Sequence, residues 1–196
     1  MKPGVPLTLL AESFAAQGYD TAAFIAAFVL DSRWGLDQGF DTYIDDFDVR
    51  GQRFISMGAV QRPAEEVIDA ALEWLEGEGG SPFFLWVHLY DPHTPYAPPE
   101  PYRSEYAGKP YLGEIAYTDA QIGRLLEGLS GRGVSDDTFV VLAGDHGESL
   151  GEHGEIEHGF FVYEESIHVP LIISLPFAEL QGVQRSGSLL REGDHA

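Results

Sequence analysis

Two short runs of apolar residues, 83–87 and 139–143, each end abruptly in a loop that carries histidine. A continuous apolar run of this length is typical of a strand that is buried on both faces. Elsewhere in the chain, apolar residues recur every three or four positions, as they do on one face of a helix. The alternation of such segments predicts an α/β fold in which a sheet is layered between helices.

Three helices and four strands are predicted, and each helix has one apolar face that would pack on the sheet. The strands cover residues 21–25, 83–87, 139–143 and 169–175. The inward positions are Leu7, Leu10, Ala11 and Phe14 in the first helix, which Gly18 caps; Val67, Ile68, Ala71, Leu72 and Leu75 in the second, which Pro63 opens; and Ile115, Ile122, Leu125, Leu126 and Leu129 in the third, over 112–129.

The segments that follow the strands at 83–87 and 139–143 hold five of the seven histidines. In open α/β sheets the ligand lies beyond the carboxyl ends of the strands, so blocks 88–96 and 145–158 are expected to meet there. Prolines at 92, 95, 98, 99 and 101 would stiffen the first block around His93. A rigid surface turn is the simpler interpretation of that block. His88 is interpreted as a packed histidine and His153 as a loop residue.

The segment 144–147, Gly-Asp-His-Gly, is a candidate metal site. Asp145 offers a hard carboxylate oxygen and His146 a borderline nitrogen, a pair compatible with Zn, Mn, Mg or Ca. Neighbouring side chains of a strand point to opposite faces, so both can reach one ion only where the backbone turns. Gly144 and Gly147 would permit the turn by entering backbone regions closed to other residues. An ordinary turn without function is the alternative.

Four motifs occur along the chain in one order. They are 18–24 (GYDTAAF), 35–41 (GLDQGFD), 88–96 (HLYDPHTPY) and 144–148 (GDHGE) with 163–166 (YEES). In this order they resemble the sulfatase family of the alkaline phosphatase superfamily, and the likeness runs from about residue 7 to residue 175. The resemblance implies an alkaline-phosphatase-like sheet, incomplete at both ends, and a sulfuric ester hydrolase.

The resemblance also implies roles for individual residues. Asp145 and His146 would bind a divalent metal ion, which could be Ca, Mn, Mg or Zn. His93 would approach the ester group. His158 matches the position of a basic residue, often lysine, that faces the anion in the family. Glu164 and Glu165 are expected to flank a helix that leads into the last strand.

The nucleophile of the family is missing from this sequence. Sulfatases use a formylglycine made from Cys or Ser in a C/S-x-P-x-R motif, which follows an Asp-Asp pair that completes the metal site. The chain has no cysteine and no serine in such a motif, and Asp45 and Asp46 are interpreted as a solvated turn. We therefore expect an inactive fragment that lacks the front end of the family's domain. Residues 1–176 would be a partial catalytic domain and 177–196 a disordered or non-family tail.

The charge balance limits the partners. The chain has 11 basic and 32 acidic residues and a formal charge of −21, which argues against nucleic acid and against an anionic membrane surface. A sulfate-ester or phosphate-ester substrate would need a bound metal and local histidines to reverse this field. The start has no signal-peptide pattern, and the apolar stretch 22–30 is shorter than the ~20 residues that span a bilayer. Localisation and oligomeric state stay open.

Two other functions remain open at this point. A phosphate or phosphonate ester hydrolase, or a phosphoethanolamine transferase, of the same superfamily also fits, because the Asp-His pair is common in those branches. The chain could also be a noncatalytic remnant, since two ligands are fewer than the three or more of a firm metal site.

Overall fold

The chain forms two compact units, residues 1–128 and 129–196. A computed structural model describes residues 7–47, 60–77, 82–155, 158 and 161–176. Within these residues the first unit contains a parallel sheet of three strands and the second an antiparallel pair. Parallel strands with helices confirm the predicted α/β class. The predicted tail, 177–196, lies outside the described residues, and the boundary after residue 176 stays a prediction.

The first unit is a parallel sheet with helices. In chain order its elements are α1 (Leu10–Ala15), β1 (Asp20–Ile25), two 3-10 turns (Phe28–Leu30 and Ser32–Trp34), β2 (Thr42–Ile44), α2 (Ala64–Gly77), β3 (Phe83–His88), α3 (Tyr102–Glu105) and α4 (Pro110–Gly131). The strand order is β2-β1-β3. Residues 21–25 of β1 are buried, whereas β3 is half-buried along its length because it lies at an edge of the described sheet.

Helix α2 packs on β1 and forms the core of the first unit. Val67 and Ala71 lie in one buried cluster with Ala22 and Phe24 of β1. The helical spacing of its apolar residues predicts this face, and burying an aliphatic side chain contributes about 1.5–3 kcal/mol. The prediction for α2 is therefore confirmed.

Helix α4 buries a different face from the predicted one. Ile115 is 39% exposed and Leu126 43% exposed, although both were expected to face inward. The buried side instead includes Glu114, Tyr117 and Gln121. Each of these has a hydrogen-bond partner, so polar contacts decide which face is buried. The prediction for this helix is right in extent and wrong in orientation.

Helix α1 is shorter than its apolar pattern predicts. It begins at Leu10, and both Leu7 and Leu10 are exposed. Ala11 is buried, and Phe14 stacks on Phe84 of β3 with ring centroids 4.6 Å apart. Gly18 follows the helix with φ 83°, the left-handed conformation expected of a glycine cap.

Tyr43 of β2 gives a test of this part of the fold at alkaline pH. Its hydroxyl donates to the carbonyl of Leu30 at 2.7 Å. Burial, and then the charges of Asp45, Asp37 and Asp31, raise the pKa of Tyr43 to about 12. A raised pKa in the fold means that Tyr43 stabilises it below pH 10 and that this contribution is lost as the pH rises toward 12. We expect ultraviolet titration to show a late-ionising step that Tyr43→Phe removes, and an unchanged curve would contradict this.

The second unit contains an antiparallel strand pair and short helices. Its elements are a 3-10 turn (Ser135–Asp137), β4 (Val140–Ala143), a 3-10 turn (Glu152–Gly154), α5 (Glu164–Ile167) and β5 (Leu171–Ser174). α5 leads into β5, as predicted for Glu164 and Glu165. Among the described strands, β3 and β4 belong to different sheets. The argument from one shared sheet edge therefore does not apply to them, and the meeting of blocks 88–96 and 145–158 stays a prediction.

No helix within the described ranges is long and apolar enough to cross a membrane.

Candidate active site

The turn after β4 brings Asp145 and His146 into a defined arrangement. The backbone N–H of His146 donates to Oδ1 of Asp145 at 3.0 Å. Nδ1 of His146 lies 2.8 Å from the carbonyl oxygen of Gly147. Because a carbonyl only accepts, Nδ1 carries a proton, and the neutral ring keeps its lone pair on Nε2. That Nε2 atom lies 3.9 Å from Oδ1 of Asp145.

The two groups suit one metal ion in kind and in spacing. Zn–N and Zn–O bonds are about 2.0–2.2 Å long, so atoms 3.9 Å apart can both contact one ion. The tied Nδ1–H of His146 is the usual arrangement of a metal-binding histidine. No group of three or more His, Cys, Asp or Glu is arranged to hold a metal within the part of the chain that the structure describes. Asp145 and His146 can therefore supply two donors of a site.

His158 lies beside this pair. Its ring centroid is 3.9 Å from that of His146, with the planes at 31°. Its Nδ1 is 3.1 Å from Oε1 of Glu148, whose side chain is only 6% exposed. The second unit thus brings together three predicted site residues, Asp145, His146 and His158. Glu148 was missed as a site residue, although its place in the motif after His146 was a signal.

Gly147 serves the site in a way that the sequence analysis did not predict. Neither Gly144 nor Gly147 has a positive φ, so the expected reason for these glycines is wrong. A Cβ at Gly147 would lie 2.0 Å from the carbonyl oxygen of Glu165. The N–H of Gly147 also donates to the carbonyl of Ser166 at 2.9 Å. The glycine therefore allows α5 to pack directly on the Asp-His turn.

His153 is held apart from the Asp-His pair by its own contacts. Its ring stacks on Tyr163 with centroids 4.2 Å apart, and its Nε2 lies 3.5 Å from Oε1 of Glu165. It lies in a turn between Gly151 and Gly154, both with positive φ. This agrees with the interpretation of His153 as a loop residue.

His93, in the first unit, has both ring nitrogens engaged. Nδ1 lies 2.7 Å from the carbonyl oxygen of Thr94, so Nδ1 carries a proton. Nε2 lies 2.9 Å from the hydroxyl of Tyr90, and the two rings stack with centroids 4.1 Å apart. In the neutral ring, Tyr90 donates to Nε2. His88, at the end of β3, packs near the rings of Trp86 and Tyr90, as interpreted from the sequence.

The loop around His93 is attached to helix α4 and to the start of α2. Both carboxylate oxygens of Glu114 accept backbone N–H groups, from His93 at 3.1 Å and from Ala97 at 2.5 Å. Thr118 donates to the carbonyl of Asp91 at 3.0 Å. Burial raises the pKa of Asp91, and hydrogen bonds from backbone N–H groups, that of Ala64 included, oppose the shift. Glu114 is a functional candidate that the sequence analysis missed.

The first two motifs form a structural network. The hydroxyl of Thr21 donates to the carbonyl of Gly39 at 2.9 Å and lies 3.0 Å from Oδ2 of Asp41. The N–H of Thr21 also donates to that carboxylate, at 3.2 Å. Asp46 is exposed, as expected of a solvated turn, but Asp45 accepts the N–H of Ser32 at 2.5 Å. These residues stabilise the loops beside β1.

Comparison with solved structures defines the class of fold. The chain matches the phosphonate monoester hydrolase of Agrobacterium radiobacter with a TM-score of 0.66 and 22% identity, over 88% of this chain and 53% of that one. It matches a protein of the alkaline phosphatase superfamily from Vibrio parahaemolyticus with a TM-score of 0.62 and 21% identity, over 89% and 42%. At these identities the likeness shows the fold, which is that of the alkaline phosphatase superfamily.

Sequence comparison identifies the family within that class. The model of the sulfatase family matches residues 2–189, so the chain belongs to the sulfatase family. It is 28% identical over 161 residues to an arylsulfatase of Clostridium perfringens, a match that covers 61% of this chain and 33% of the relative. The chain thus spans about a third of the length of that relative. The resemblance inferred from the four motifs is confirmed.

Proposed function

We propose that this sulfatase-family protein hydrolyses sulfate monoesters with the help of a divalent metal ion held in part by Asp145 and His146. The observation that supports this best is the spacing of 3.9 Å between Oδ1 of Asp145 and Nε2 of His146. A second observation is the contact of His146 with His158, the residue that matches the family's anion-facing position. The metal identity stays open among Ca, Mn, Mg and Zn.

Each residue has a distinct role in this proposal. A bound divalent ion would supply positive charge that polarises the ester and stabilises the developing negative charge. His158 would bind a sulfate oxygen. His93 would hold, at Nε2, the proton that the leaving oxygen needs. Its Nδ1–H, which donates to Thr94, keeps the ring in that tautomer.

The net charge of −21 makes the local charges important. A sulfate monoester is an anion and is repelled by an acidic surface. A divalent cation together with imidazolium groups at His93 and His158 would reverse the field where the substrate binds. The proposal therefore requires that anion binding depend on the metal.

The isolated polypeptide gives the test. We expect Zn or Mn to bind weakly in isothermal titration, and Asp145→Ala and His146→Ala each to abolish the binding, while Asp136→Ala, an exposed carboxylate of the same unit, leaves it unchanged. We also expect no turnover of 4-nitrophenyl sulfate with any of the four metals, because the sequence contains no cysteine or serine of the nucleophile motif. Metal binding that survives both substitutions would contradict the site. Metal-dependent turnover would contradict the expected inactivity.

A second candidate is a phosphate or phosphonate ester hydrolase, or a phosphoethanolamine transferase, of the same superfamily. The Asp145–His146 pair favours it, because the pair occurs in those branches. The coding sequence upstream of Met1 discriminates: Cys or Ser before x-Pro-x-Arg supports the sulfatase, and a bare Thr supports the transferase. A noncatalytic remnant is the third candidate, which clear micromolar metal binding would contradict.

A further inference from the structure

The loop that carries His93 has few backbone donors of its own. Residues 92, 95 and 98 are prolines, which have no N–H group. Of the N–H groups that remain, those of His93 and Ala97 both donate to the carboxylate of Glu114. One side chain therefore binds the loop at two points, on either side of Pro95.

Glu114 occupies a position where a carboxylate is costly. The residue is 3% exposed, and burial raises its pKa above the ordinary value, while the N–H groups of Ala97 and His93 oppose the shift. A buried carboxylate is tolerated only when hydrogen bonds replace its water. An apolar residue would satisfy the packing of α4 at lower cost. The carboxylate is therefore explained by what it binds, which is the loop.

A second residue of α4 extends the same attachment. Thr118 is one helical turn after Glu114 and lies on the same face. Its hydroxyl donates to the carbonyl of Asp91 at 3.0 Å. Together the two side chains bind the loop at Asp91, His93 and Ala97. The ring of His93 is then oriented locally, by the carbonyl of Thr94 and the hydroxyl of Tyr90.

We propose that Glu114 is a positioning residue for His93: it holds the backbone of the loop so that the imidazole keeps one place and one tautomer. The inference rests on the proposed function, in which His93 acts on the ester. It goes further by assigning a role to a buried acid that lies 21 residues away in the sequence. A displacement of about 1 Å at a reacting group can cost ~100-fold in rate, so such a residue matters without contacting substrate.

Nuclear magnetic resonance of the full chain tests the proposal through the amides. Hydrogen bonds to a charged group contribute about 1.5–3 kcal/mol, so we expect Glu114→Ala to speed hydrogen exchange at His93 and Ala97 by about tenfold or more. Glu114→Gln keeps one acceptor, so it should protect only one of the two amides. Glu127→Gln, an exposed acid on the same helix, is the control and should change neither.

The ring of His93 gives a readout that a merely structural role would not move. In the wild-type chain we expect ring ¹⁵N shifts of a single tautomer protonated at Nδ1, and averaged shifts in Glu114→Ala with partial recovery in Glu114→Gln. An unchanged tautomer in a folded Glu114→Ala chain, or in Glu114→Gln if the alanine variant does not fold, overturns the proposal. Titration with inorganic sulfate separates the two hypotheses. A wild-type chain without a sulfate response at His93 counts against the proposed function, whereas the amide and tautomer results still decide the role of Glu114.

Discussion

Replacing Gly39 by alanine is expected to lower the free energy of unfolding of the first unit by about 3 kcal/mol. Gly39 has φ +88°, and a side chain in the left-handed region costs about 1–2 kcal/mol. The new Cβ would also lie 2.5 Å from the backbone nitrogen of Glu12 in α1, and overpacking costs about 1–3 kcal/mol. The contact involves backbone, so a side-chain rotation cannot relieve it. The carbonyl of Gly39 would move away from the hydroxyl of Thr21.

Gly35 provides the matched control for Gly39. It has φ +81°, and a Cβ there meets nothing within 4 Å. Gly35→Ala should therefore cost only the backbone term, about 1–2 kcal/mol. Urea unfolding followed by tryptophan fluorescence measures both, because Trp34, Trp74 and Trp86 are the three tryptophans and all lie in the first unit. Equal midpoints for the two variants would show that the close contact with Glu12 contributes nothing.

Gly39 also illustrates which parts of the fold could be predicted from the sequence. The strands at Asp20–Ile25 and Phe83–His88 and the helix Ala64–Gly77 follow from local patterns of apolar residues. These patterns are visible because the residues that share a face are neighbours in the sequence. The contact of Gly39 with Glu12 joins residues 27 positions apart, and no local pattern shows it.

The orientation of α4 could not be predicted for the same reason. Apolar spacing favours a face with Ile115 and Leu126, but the buried face contains Glu114 and Gln121. Glu114 is buried because it accepts two N–H groups from a loop that precedes the helix. A scale of hydrophobicity assigns such a residue to the surface. Its partners are known only once the loop is folded.

The candidate site divides in a similar way. Asp145 and His146 are adjacent and flanked by glycines, so their proximity could be predicted from four consecutive residues. The contact of His146 with His158 was implied only by the family resemblance. The part played by Glu148 depends on its distance of 3.1 Å from Nδ1 of His158, which requires coordinates. Local chemistry was predictable, and the groups that orient it were not.

Replacing Gly147 by alanine is expected to have the largest effect in the second unit. The new Cβ would lie 2.0 Å from the carbonyl oxygen of Glu165 and 3.2 Å from that of His168. Either α5 or the Asp-His turn must move, and the bond from the Gly147 N–H to Ser166 is lost. Overpacking at about 1–3 kcal/mol and a hydrogen bond at about 1 kcal/mol give an expected loss of about 3 kcal/mol.

Gly144 in the same turn is the control for Gly147, because neither glycine has a positive φ. A Cβ at Gly144 would lie 3.2 Å from Cδ of Pro170, a contact that a small shift relieves. Amide exchange at β4 and α5 should therefore quicken strongly in Gly147→Ala and only slightly in Gly144→Ala. The carbonyl of Gly147 also holds the Nδ1–H of His146, so weak Zn or Mn binding should be lost with the packing of α5. If Gly147→Ala keeps both its exchange rates and its metal affinity, the close approach of α5 is not what supports the Asp-His turn.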